Sequence, residues 1–108
     1  MYTSLATTTI GDMNREKMMA WIEKNLKTDG SMHIDTTEAF FGEGLCSGGI
    51  WLSAEENAEY KGKVVYDYYS EDYEKRSCGV LKTWEEQLAK RGWYSEWNDS
   101  GTVMIYEI

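Results

Sequence analysis

Proline is absent from this 108-residue chain, where average usage near 5% would supply about five. Loops must therefore be turned by the ten glycines and by Asn and Asp, and a Pro-rich linker is excluded. No apolar run approaches the ~18 residues that a membrane-spanning helix needs. The threonine-rich start, residues 1–10, has neither a basic n-region nor an unbroken apolar stretch, so a secretory leader is not expected. Cysteine is scarce as well: Cys46 and Cys78 stand 32 positions apart without a CxxC partner. That spacing suggests neither a zinc site nor a disulfide scaffold, and two free thiols fit a reducing, cytoplasmic setting.

What is present is apolar surface and negative charge. Hydrophobic residues make up 42% and aromatics 14%, enough to offset chain entropy in one domain spanning residues 1–108. Nineteen Asp and Glu stand against eleven Lys and Arg, a formal charge of -8. The imbalance is local. Between Thr28 and Glu74 eleven carboxylates meet only Lys61 and Lys63, whereas the flanking segments carry eight acids and nine bases. Such a field repels nucleic acid and anionic membranes, so direct binding to either is not expected.

The stretch Lys63-Val-Val-Tyr-Asp-Tyr-Tyr-Ser-Glu-Asp-Tyr-Glu74 predicts a central strand running into an acidic, tyrosine-rich edge. Val64, Tyr66 and Tyr68 would share one face and Val65, Asp67 and Tyr69 the other, because strand side chains alternate. Upstream, Asp12 or Asn14 is a cap for a helix over residues 13–27, with Met18, Met19, Ile22 and Leu26 at helical spacing. A short strand over 31–36 follows, then a loop or helical turn over 37–44 that tucks Phe40 and Phe41 under the sheet. Residues 45–53 read as a strand weakened by Gly48 and Gly49, and Lys61-Gly62-Lys63 as a bend.

Downstream, Tyr73, Val80, Leu81, Trp84 and Leu88 suggest a helix over 72–91. Ser77-Cys78-Gly79 is a candidate break and Ser77 a candidate cap for its second part. The tail is an antiparallel hairpin, 93–97 and 102–108, around Asn98-Asp-Ser-Gly101. The order α-β-β-β-α-β-β implies an α+β fold: an antiparallel sheet of four to five strands with two main helices on one face.

Catalytic patterns are thin. The Gly42 to Gly49 segment has the glycines of a phosphate cradle, but it lacks GK[ST] and lies in acidic surroundings. His33 and Asp35 form a two-ligand fragment with no third member, and Cys46 or Cys78 would need a base as nucleophile. No catalytic residue, metal or cofactor is assigned.

The tyrosines between carboxylates carry the functional expectation, because tyrosine offers an interface a rigid apolar body with a polar tip. In size and charge, though in no motif, the chain resembles phage- and plasmid-encoded inhibitors that present carboxylates to a nucleic-acid-binding cleft. The expected function is that of a non-enzymatic acidic protein that occludes a basic surface on a partner, such as a nuclease or another nucleic-acid-binding factor. Glu55, Glu56, Glu59, Asp67, Tyr69, Glu71, Asp72 and Tyr73 are the expected contact residues. One alternative is a small enzyme or ligand-binding domain with a pocket at Cys46, His33 and Asp35. Another is a self-associating accessory protein, a homodimer paired through residues 102–108 as an edge strand.

Overall fold

Asn14 begins the first helix by placing its side-chain oxygen 2.9 Å from the Lys17 amide, which satisfies one of the donors a helix start leaves open. In the computed structural model, which describes residues 11–108, this helix, α1, spans Arg15–Asn25. The arm or edge strand expected over residues 1–11 lies, apart from Gly11, outside the described residues. Met18, Ile22 and Leu26, four apart, are buried along one stripe of α1 and its cap. The helix ends earlier than the expected Lys27 because that residue is taken by another partner. Lys27 and Glu59 exchange backbone hydrogen bonds of 3.0 and 2.7 Å in an antiparallel bridge.

Strand β1, Ile34–Thr36, leads directly into a short helix α2, Thr37–Phe41, capped by Thr36 Oγ1 on the Ala39 amide. Strand β2 is Ile50–Ser53, shorter than the 45–53 expected, because residues 44–47 fold into turns. Two tight hairpins follow. Glu59–Tyr60 (β3) pairs with Lys63–Val64 (β4), and Arg76–Ser77 (β5) pairs with Val80–Leu81 (β6). Their two-residue loops, Lys61-Gly62 and Cys78-Gly79, have all four φ angles between +50° and +83°. That is the type I′ geometry whose twist suits a hairpin. Helix α3, Lys82–Lys90, buries Trp84 and Leu88, and β7, Trp93–Asp99, returns on β8, Thr102–Glu107.

The four longer strands form one antiparallel sheet in the order β1-β2-β8-β7. Its inner face carries Ile50, Leu52, Val103, Ile105 and Trp93, which join Met18, Ile22, Trp84 and Leu88 of the helices in one buried cluster. The α+β architecture with α1 and α3 against one face is therefore as expected, and no helix among the described residues is long and apolar enough to cross a membrane.

Four expectations are corrected. The central strand over 63–69 does not exist as one element. The chain is extended only as far as Asp67, and it changes partners on the way: the Val65 amide bonds Ala58 O, then Asp67 N bonds Gly79 O and Val65 O accepts from Leu81. Val65 and Tyr66 are both buried, so consecutive rather than alternate side chains enter the core. The helix over 72–91 starts only at Lys82, since residues 76–81 form the β5–β6 hairpin, and no side chain caps it at Leu81. Phe40 and Phe41 remain exposed, with Phe40 stacked on the outer face of Trp51 at 4.0 Å between ring centroids. The C-terminal strand β8 is an interior strand, hydrogen-bonded to β2 on one side and β7 on the other. It offers no open edge for a homodimer.

The β7 side of the sheet is held by α3 through polar contacts as well as packing. Trp84 Nε1 donates to Tyr66 Oη, and Tyr66 Oη shares a hydrogen bond with Ser95 Oγ, each at 2.8 Å. The Ser95 amide donates to Glu85 Oε2 at 2.9 Å. Burial pushes the Tyr66 phenol well above its ordinary value, so it remains a neutral donor and acceptor in this network.

Tyr66→Phe leaves the buried Trp84 N–H without an acceptor and should lower stability by about 1–3 kcal/mol, read as a shifted urea midpoint at unchanged m. Gly62→Ala and Gly79→Ala separate backbone strain from crowding. Both glycines have φ near +80°, but a Cβ at Gly62 meets open space while one at Gly79 collides with the Asp67 carbonyl. The first substitution should cost about 1 kcal/mol and the second distinctly more by the same measurement.

Candidate groove between the hairpins

Three of the eight residues expected at an interface converge. Glu55, Asp67 and Tyr69 line an open groove of about 650 Å³, together with Asn57, Tyr68, Arg76 and Ser100. Its walls come from separate parts of the chain. The loop after β2 supplies Glu55 and Asn57, and the segment after β4 supplies Asp67 to Tyr69. Strand β5 supplies Arg76, and the tip of the β7–β8 hairpin supplies Ser100. The loop is fixed to the hairpin tip by the Ala54 amide on Gly101 O at 2.8 Å. The tyrosine segment is fixed to the β5–β6 turn by the Asp67 amide on Gly79 O, also at 2.8 Å.

Past Asp67 the chain turns, with the Ser70 amide on Asp67 O, and this projects the next tyrosines outward. Tyr69 is 78% exposed and Tyr68 49%. Tyr68 packs edge-on against Tyr69 and against Trp97, with ring centroids 5.3 and 5.1 Å apart. The exposed faces are thus held in place by rings that are themselves packed. Arg76 adds an unusual feature: its Nη1 is inaccessible to solvent and has no hydrogen-bond partner.

The other five residues lie outside the groove lining. Glu56 sits 3.5 Å from His33 Nδ1. Glu59 is exposed on β3, where its backbone pairs with Lys27. Glu71, Asp72 and Tyr73 are exposed on the turns before β5. Asp72 is occupied locally, because its Oδ1 accepts the amides of Glu74 and Lys75 at 3.2 Å each. Tyr68, Asn57, Arg76 and Ser100 were not singled out from the sequence. Tyr68 stood on the face assigned to buried Tyr66, and the others become neighbours only through the hairpin crossings.

Counter-charges are scarce around this surface. Of the nineteen carboxylates, Glu38 alone lies within 4.0 Å of a Lys or Arg nitrogen, that of Arg15, and Glu56 alone approaches the histidine. The excess negative charge is left to face solvent.

The glycine-rich segment is strapped down and is not a free cradle. The Gly44 amide donates to Ser47 Oγ, Gly48 to Glu38 Oε2 and Gly49 to Thr37 Oγ1, at 2.8, 3.2 and 3.1 Å. Arg15 Nη1 bonds Glu38 Oε1 at 2.6 Å and Gly49 O at 3.1 Å. The Arg15 hydrogen bond, helped by backbone amides, holds the Glu38 carboxyl down at about 2.

The residues of the alternative pocket separate. His33 and Asp35 line one shallow groove with Phe40 and Trp51, whereas Cys46 lies in another with Tyr94 and Met104. Among the described residues no three His, Cys, Asp or Glu side chains are grouped to hold a metal ion.

No protein-family model, curated protein or solved structure matches the chain. The groove is therefore read from its own chemistry: two carboxylates, exposed phenol rings and one buried, unpartnered donor.

The strapped segment has a pH signature. A carboxyl whose folded value lies near 2 against an ordinary 4.5 contributes stability that is fully present above the ordinary value and is lost as pH falls through the folded one. The wild type should lose stability relative to Glu38→Gln between about pH 5 and pH 2, so thermal midpoints of the two should draw together on acidification.

Proposed function

We infer that the protein is a non-enzymatic, cytoplasmic binding protein that covers a basic surface of another protein, of the kind found in nucleases and other nucleic-acid-binding factors. The observation that carries this reading is the carboxylate excess left without internal partners, beside exposed tyrosines on packed supports. Unpaired surface charge of one sign steers an oppositely charged partner and rejects like-charged ones. Tyrosine rings then contribute contact area at low entropic cost. Glu55, Asp67, Tyr68 and Tyr69 are the centre of the surface in this reading, and Glu71 and Tyr73 belong to its rim.

A charge-matched pair of variants tests it. Glu55→Lys, Asp67→Lys and Glu71→Lys together should abolish capture of basic proteins from lysate at low salt, with capture by the wild type falling as salt rises. Glu16→Lys, Glu23→Lys and Glu86→Lys, exposed on α1 and α3, make the same change in net charge elsewhere and should retain capture. Equal loss in both triples would reduce the reading to net charge alone, and retention in both would reject it.

A further inference from the structure

The groove holds two kinds of group that call for different ligand chemistry in one place. Glu55 and Asp67 are acceptors with no cation within 4.0 Å. Arg76 Nη1 is a donor with no acceptor, although it is shielded from solvent. A buried guanidinium nitrogen without a partner is costly and rare in folded proteins. The neighbouring carboxylates do not relieve it, since neither is within ion-pair distance of Arg76. Tyr69, 78% exposed, presents its ring beside these groups, and Tyr66 closes one wall with its hydroxyl already engaged by Trp84 and Ser95.

A ligand that satisfies all of them must be cationic and planar at one end and must carry a carbonyl near the other. The geometry points to an arginine on a protruding loop of the partner as the group that enters this groove. Its guanidinium would lie between Glu55 and Asp67 with a face on Tyr69, while Arg76 Nη1 donates to a main-chain carbonyl of the same loop. Guanidinium meets carboxylates through paired hydrogen bonds and stacks on aromatic rings, which a lysine ammonium does not match. Arg76 also sets the direction of entry, because like charge keeps the incoming guanidinium on the carboxylate side of the groove. This inference rests on the binding role proposed above and narrows it to one side-chain type and one site. The shallow groove at Met32 and Phe40 and the exposed Leu45 on the glycine-rich segment carry no comparable pairing of unmet donors and acceptors.

The test uses Nα-acetyl-arginine N-methylamide as the probe, its citrulline counterpart as the neutral isostere, and methylguanidinium as a cation lacking a carbonyl. Amide shifts of the full chain are followed by two-dimensional NMR. The arginine probe should bind in the millimolar range, with shifts confined to residues 54–57, 66–69, 76 and 100–101, and the citrulline probe should leave them unmoved. The double variant E55Q/D67N should weaken binding by about ten-fold, the loss expected of charge-assisted contacts. Tyr69→Ala should weaken it by a smaller factor. Arg76→Met should weaken the arginine probe without weakening methylguanidinium. The spectrum of each variant reports directly whether it remains folded.

Shifts scattered over all the acidic surfaces, or arginine binding unaffected by E55Q/D67N, would overturn the assignment. Capture of basic proteins that survives while the arginine probe fails would remove the groove as the point of entry and leave the wider acidic surface standing. Loss of capture with specific probe binding intact would do the reverse.

Discussion

Trp84 is the side chain on which the arrangement depends. It is fully buried, stacks on Trp21 of α1 with ring centroids 5.2 Å apart, and meets Tyr60 of β3 at 5.3 Å. Through its N–H it reaches Tyr66 and then Ser95 of β7. One indole therefore joins both main helices, the first hairpin, the tyrosine segment and the sheet. Arg91 extends the column, with its guanidinium 3.9 Å from the Trp21 ring centroid. Burial lowers its pKa, and Gln87 takes its Nη1 through both backbone and side-chain oxygens. Apolar burial supplies most of the driving force in such a core, but the single hydrogen bond from Trp84 decides which way Tyr66 faces.

That orientation has a consequence outside the core. With Tyr66 held inward, Asp67 is paired to the Gly79 carbonyl and the chain must turn immediately, which places Tyr68 and Tyr69 on the surface. The groove is thus the outer end of the same packing. Its carboxylates and rings need no loop rearrangement to be presented, because the turn of each neighbouring hairpin is pinned by backbone hydrogen bonds. A binding surface built this way loses little conformational entropy on contact.

The parts of this arrangement legible in the sequence were those with local causes. Asn14 capping α1, the spacing of Met18, Ile22 and Leu26, and the Asn98 to Gly101 turn each have a physical signature within a few residues. The middle of the chain did not. Val65 and Tyr66 break alternation because the segment changes partners between β3 and β6, and no local pattern announces a partner change. Lys61-Gly62 and Cys78-Gly79 adopt a turn usually associated with Asn-Gly or Asp-Gly, so the second was read as a helix break. The charge excess of the middle segment was plain, yet only Glu55, Asp67 and Tyr69 of the eight expected residues share a groove. Convergence depended on two hairpin crossings that residue types alone do not encode. Tyr68 and Arg76 entered the site for the same reason.

The hydrogen bond from the Ser95 amide to Glu85 touches a general hazard of small sheets. Strand β7 lies at the border of the four-stranded sheet, where bare main-chain groups offer a template on which foreign strands can polymerise. The Glu85 carboxylate occupies one of those positions, and its second oxygen is shut away from water. An intruding strand would have to displace an anion before gaining any ladder contact. A residue that looks like ordinary helix surface charge thereby acts as a guard against fibril growth.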